Sequence, residues 1–203
     1  ASFHSMLKLP KVTERRIDVA ATRFIEPLLH RQQIPLQIEA ADVNGEPIDW
    51  AAAQLLKYTP FAEGDAWGAR WDTTWFRFTG KVPAGWAGEE VVALINLSFE
   101  EGEGFGREGI VWMDGKPVIA VNRNRQAVPL LESAQGGEKI EFYVEAAANP
   151  VAQMFWGDGD TLMPDYNGAP LFKLLTAQLA TRDEQAFQLL MDYDTTRQAM
   201  YVL

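Results

Sequence analysis

From residue 71 the chain carries three β-forming runs in succession: WDTTWFRF, an apolar stretch over 91–97 beyond a Pro83-Ala84-Gly85-Trp86 turn, and EGIVWMDGKP. Thr73, Thr74, Trp75, Phe76 and Phe78 are β-branched or aromatic and suit a pleated surface, while Val91, Val92, Leu94, Ile95 and Leu97 read as a buried strand. Strands joined by turns, with no helix between them, argue for an antiparallel sandwich or jelly roll and against a parallel α/β sheet. These residues build a stiff scaffold, so any chemistry is expected elsewhere.

The rest of the chain can fill such a scaffold. Of 203 residues 47% are hydrophobic, enough for a substantial core in one or at most two domains. Cysteine is absent, which rules out disulfides and thiolate metal sites and suits a reducing compartment; a cytoplasmic location is expected. The N-terminus lacks the basic and apolar segments of a secretory signal, and no apolar run approaches the ~20 residues of a membrane span. With 28 acidic against 18 basic residues and a net charge of −10, the chain opposes phosphate backbones and anionic lipid. Neither nucleic acid nor a membrane is an expected partner.

Residues 12–29 place Ile17, Ala20, Ala21, Phe24, Ile25 and Leu28 near one helical face, with Pro27 set to stop or kink the last turn. From Ile34 the period changes to two, and Asn44-Gly45 marks a turn. Residues 50–58, rich in Ala and Leu, predict a short helix. After Gly136-Gly137, Ile140, Phe142 and Val144 alternate with polar neighbours as a half-buried strand. Residues 149–170, rich in Gly, Pro and Asp, are long for a connector and predict a rim or interface segment. Residues 171–180 read as a further strand. Thr181 and Glu184 then predict a capping box, followed by an apolar helical face through Ala186, Leu189, Leu190 and Tyr193. The pattern reaches Leu203 without a stop signal, so a longer parent protein is expected. The predicted organisation is a helical segment over 1–32, a mainly β, antiparallel sandwich of jelly-roll, galactose-binding-like type over 33–182, and the start of a helical linker over 183–203.

In this order the elements resemble the N-terminal, non-catalytic domain of glycoside hydrolase family 38 α-mannosidases of the cytosolic and vacuolar type. The resemblance rests on His30-Arg31-Gln32 after the opening helix, Trp71-Asp72-Thr73-Thr74-Trp75-Phe76-Arg77, residues 82–88, residues 108–115, Gly136-Gly137-Glu138-Lys139-Ile140, and the closing strand and helix over 174–192. It covers almost the whole chain, and the order and spacing of the motifs carry it, since each alone is weakly specific. It implies a sandwich followed by a helical linker and a zinc-dependent catalytic domain that cleaves terminal α-mannosyl residues with retention of configuration. The partners so implied are that catalytic domain and, through the parent enzyme, an α-mannoside; a homo-oligomer joined through 149–170 is a further expectation. The glycine-rich stretch 99–108 is longer than the family pattern.

The zinc site of such an enzyme needs a histidine followed two residues later by an aspartate. His4 is followed by Ser5-Met6 and His30 by Arg31-Gln32, so both histidines read as structural or surface residues. No cofactor is expected in this chain; zinc is assigned to the catalytic domain. Carboxylates are plentiful, but a retaining pair must stand roughly 5 Å apart across the scissile bond, and abundance supplies no such pair. Residues 164–168, PDYNG, read as a turn. Glu100, Glu101, Glu103 and Glu108, interleaved with glycine, suit either calcium ligation or a solvated hairpin loop. Among seven tryptophans, Trp75 and Trp112 lie in strand patterns and are expected in the core. Trp67, Trp86 and Trp156 lie in loop contexts and are the candidates for carbohydrate binding, against the plainer reading that they plug sandwich ends or domain interfaces. The expected role is architectural, with an independent carbohydrate-binding module as the alternative and a free-standing cytosolic β enzyme as a third reading.

Overall fold

The structure is a computed structural model that describes residues 10–99, 106–149 and 169–202. Alternation along the strands separates apolar from polar faces, and two sheets close over the apolar ones. The larger sheet runs in the order β3 (Thr59–Phe61), β2 (Gln37–Val43), β5 (Thr73–Lys81), β10 (Lys139–Ala147), β7 (Glu108–Met113), β8 (Lys116–Val121). The smaller runs β1 (Gln33–Pro35), β12 (Thr176–Arg182), β6 (Glu90–Asn96), β9 (Ala127–Leu131), while β4 (Ala66–Trp67) and β11 (Phe172–Lys173) form a short third ladder. Every strand pairing among the described residues is antiparallel.

Phe76 and Phe78 of β5 and Phe142 and Val144 of β10 meet Val91, Ala93 and Ile95 of β6 and Leu179 of β12 in one inter-sheet core. Each of these is buried, and full burial of such a side chain is worth about 1.5–3 kcal/mol for the larger ones. This is an antiparallel jelly-roll sandwich with a helix at each end.

Local chemistry explains where the elements depart from the sequence expectations. The opening helix is α1 (Pro10–Ala20), a wide turn over Ala21–Ile25, and α2 (Glu26–Leu29). Pro27 has no N–H, and its ring crowds the carbonyl four residues back. The chain answers with a π turn in which Glu26 N–H donates to Ala21 O, five residues earlier. The predicted helix over 50–58 shrinks to α3 (Trp50–Ala53), held at its start by Asp49, whose Oδ1 accepts from Ala52 N at 2.8 Å. Tyr58 Oη then donates to Ala53 O at 3.1 Å, and the chain leaves to become edge strand β3. The single strand expected over 171–180 is divided into β11 and β12, because Phe172 pairs with Trp67 while Thr176 pairs with Asn96 in another sheet. The capping box at Thr181 is corrected. Thr181 remains in β12 opposite Val91, and Asp183 caps α4 (Glu184–Val202), accepting from Ala186 N at 2.9 Å.

Candidate functional site on the outer face of the six-stranded sheet

Among the residues of β5, β7 and β10 that point away from the inter-sheet core are Trp75, Arg77, Trp112, Glu141, Tyr143 and Glu145. Register brings them together: Tyr143 lies opposite Arg77 on one side and Trp112 on the other, and Glu145 lies opposite Trp75. The capped turn α3 lays Trp50 over this face. Its ring stacks on Trp112 at 5.6 Å between centroids and 12° between planes, and meets Tyr143 edge-on at 5.0 Å and 89°. Beneath them Trp75, Val43 and Ala53 are buried, making a second, smaller apolar cluster. Offset and edge-on aromatic contacts of this kind add about 0.5–1.5 kcal/mol per pair beyond area burial.

Polar groups frame the rings. Trp112 Nε1 donates to Glu145 Oε2 at 3.2 Å; burial pushes the Glu145 carboxyl up, and the indole bond opposes that shift. Arg77 bridges two carboxylates, Nη2 to Glu141 at 2.7 Å and Nη1 to Glu39 at 3.2 Å, and the Glu141 bond raises its pKa further. Burial also raises the Tyr143 hydroxyl. The Asp114-Gly115 turn between β7 and β8 has φ of 49° and 77°, both positive, as in a two-residue type I′ hairpin. A Cβ on Gly115 would stand 3.2 Å from Trp50 Nε1, so the hairpin tip approaches the ring closely. Between these elements lies a depression of about 380 Å³ lined by Trp50, Gln54, Trp112, Asp114, Glu141 and Tyr143, with Gly115 at its edge.

The sequence candidates are placed otherwise. Trp67 is 2% exposed, edge-on to Phe76 at 5.6 Å, and Trp86 is 3% exposed; both belong to the inter-sheet core. Their burial removes these two as carbohydrate-binding candidates and agrees with the plainer reading that they plug the sandwich. β4 and β11 seal one end of the sandwich around Trp67, and the 3₁₀ turn Ala84–Trp86 folds Trp86 inward. Trp156 lies outside the described residues, as do His4, Glu100, Glu101, Glu103 and the 164–168 segment; Glu108 is exposed at the start of β7. Trp71, placed in a strand pattern by its sequence context, is 53% exposed and holds a φ of 68°. His30 joins the end of α2 to β12: its Nδ1 donates to Thr181 O at 3.0 Å, and burial lowers its pKa. Trp75 is buried and Trp112 partly buried, though in the outer cluster and not between the sheets. Sequence reasoning missed Trp50, Gln54 and Tyr143. The signals were present in Asp49 as a helix cap and in the alternation of β10, which sets Tyr143 opposite in sense to Phe142 and Val144.

Among the described residues no group of three His, Cys, Asp or Glu side chains is placed to hold a metal ion, so zinc does not fit them. No helix among them is long and apolar enough to cross a membrane.

Two sheets around one core, closed at the chain's ends by helices, define a jelly-roll sandwich domain. The family model of the α-mannosidase jelly-roll domain matches residues 34–180, and the chain belongs to that family. It is 29% identical over 202 residues to alpha-mannosidase G of Dictyostelium discoideum, covering 94% of this chain, and 27% identical over 203 residues to alpha-mannosidase 2C1 of Homo sapiens, covering 93%. The chain spans 18% of the length of each of these curated relatives. Among solved structures, a β-glucuronidase of Ruminococcus gnavus is similar over 75% of this chain and 29% of its own, at 14% identity and a TM-score of 0.44.

Proposed function

We propose that this chain is the non-catalytic sandwich of a cytoplasmic, zinc-dependent family 38 α-mannosidase, supporting a catalytic domain that removes terminal α-mannosyl residues. The observation that carries this reading is the asymmetry of coverage: the chain aligns almost end to end with two α-mannosidases yet accounts for 18% of each. Most of such an enzyme, with its zinc ligands and catalytic carboxylates, then lies in other segments. The chain's two histidines support the same reading, because His30 is engaged by a backbone carbonyl and neither opens a His-x-Asp motif. The domain's work is to brace the catalytic domain, with subunit joining as a second structural task.

The purified 203-residue chain is expected to leave a chromogenic α-mannoside intact, with and without added zinc, and turnover would overturn the assignment. Sequencing the gene beyond Leu203 should reveal helices leading to a His-x-Asp motif. A stop codon in that place would count equally against it.

A further inference from the structure

We infer that the depression on the outer face of the six-stranded sheet is a binding site for a neutral hexopyranosyl residue of an oligosaccharide, with the rings of Trp50, Trp112 and Tyr143 as its floor and Gln54, Asp114 and Glu141 as its hydrogen-bonding rim. The inference rests on this geometry and stands apart from the α-mannosidase reading.

A pyranose has an apolar C–H face and a belt of hydroxyls, so a protein holds it by setting an aromatic ring against the face and planar amide or carboxylate groups against the belt. Both parts converge here from separate elements. Trp50 and Gln54 come from α3 and the turn after it, Trp112 from β7, Asp114 from the hairpin tip, and Glu141 and Tyr143 from β10. Trp50, Trp112 and Tyr143 are only partly buried, while Gln54, Asp114 and Glu141 are exposed. The rings contrast with Trp75 beneath them, which is fully enclosed as a core residue should be.

The floor is held by its neighbours without any ligand. Trp112 is pinned by its Nε1 bond to Glu145 and by the stack on Trp50; Trp50 is set by the Asp49 cap and the close Gly115 turn; Glu141 is oriented by Arg77. Such support limits the ordering that binding requires. The rim's charge selects the ligand. Asp114 and Glu141 accept from hydroxyls and repel carboxylated sugars, and Arg77 is already shared between Glu39 and Glu141. A volume of about 380 Å³ is at the small end for a ligand pocket and suits one or two sugar units, hence weak, millimolar binding.

The test is a titration of the 203-residue chain, with nitrogen-15 in its indoles, against mannotriose, maltotriose and glucuronic acid. The neutral sugars, or one of them, should shift the N–H signals of Trp50 and Trp112 in the millimolar range while Trp67 and Trp86 stay still, and glucuronic acid should shift none. The double variant Gln54→Ala with Asp114→Asn alters only exposed side chains, and asparagine tolerates the positive φ at residue 114. It should keep the wild-type spectrum and bind at least tenfold more weakly. Signals of Trp50 and Trp112 unmoved by either neutral sugar would overturn the inference, as would equal shifts with glucuronic acid or undiminished binding by the double variant. Shifts of these two rings with protein concentration and not with sugar would assign the face to self-association and overturn it too.

Discussion

Gly109 shows how much a single missing side chain decides. It sits in β7, where a Cβ would fall 2.6 Å from Val144 Cγ1, 2.9 Å from Val121 Cγ2 and 3.0 Å from Leu97 Cδ1. Gly109→Ala is therefore expected to destabilise the chain by about 1–3 kcal/mol in urea denaturation, whereas Gly85→Ala, whose Cβ meets nothing within 4 Å, should change little. His30 supplies a pH dependence of known sign. Burial holds its imidazole below the ordinary 6.5, against the opposing pull of the Thr181 carbonyl. The unfolded chain thus binds the proton more readily, so the stability from the neutral ring is present above 6.5 and is lost as pH falls through the lower folded value. The urea midpoint of the wild type, measured against His30→Gln at a series of pH values, should lose its advantage as the pH is taken down through and below 6.5. A constant difference across that range would refute the assignment. Neither contact was legible in the sequence, because the partners of Gly109 and His30 lie far along the chain.

At the scale of elements, the short turn α3 matters beyond its four residues, since it delivers Trp50 to the outer sheet face. Asp49→Ala removes the acceptor at Ala52 N and should cost about 1 kcal/mol, with the emission of the aromatic cluster shifting to the red as Trp50 loosens. An unchanged spectrum would mean that ring packing alone places Trp50. The strands over 73–81 and 139–147 were legible because their period of two is carried by large residues. The division of 171–180 was not, since alternation continues through Leu174 although its neighbours pair with different sheets. The capping residue of α4 was misplaced by two for a related reason. Thr181 and Glu184 have the right spacing, but Thr181 is claimed by β12, and Asp183 is the first residue free to cap.

In the whole molecule the two sheets share one core, so they should not unfold separately. Circular dichroism and tryptophan fluorescence are expected to give coincident urea transitions, and Phe142→Ala, which empties a buried ring position stacked on Phe78 at 5.1 Å, should cost about 3–5 kcal/mol. Separate transitions for the two probes would contradict a shared core. By itself the sequence determined the β architecture, its flanking helices and the poverty of metal-binding nitrogen, because periodicity, turn chemistry and residue counts are local or additive properties. Only the tertiary structure decided which tryptophans are core and which meet solvent. Exposure is fixed by what packs on top: β4 and β11 close over Trp67, whereas Trp50 and Trp112 stack on the outer sheet face between a hairpin tip and a capped turn. Those neighbours come from distant parts of the chain, and no local pattern encodes their meeting.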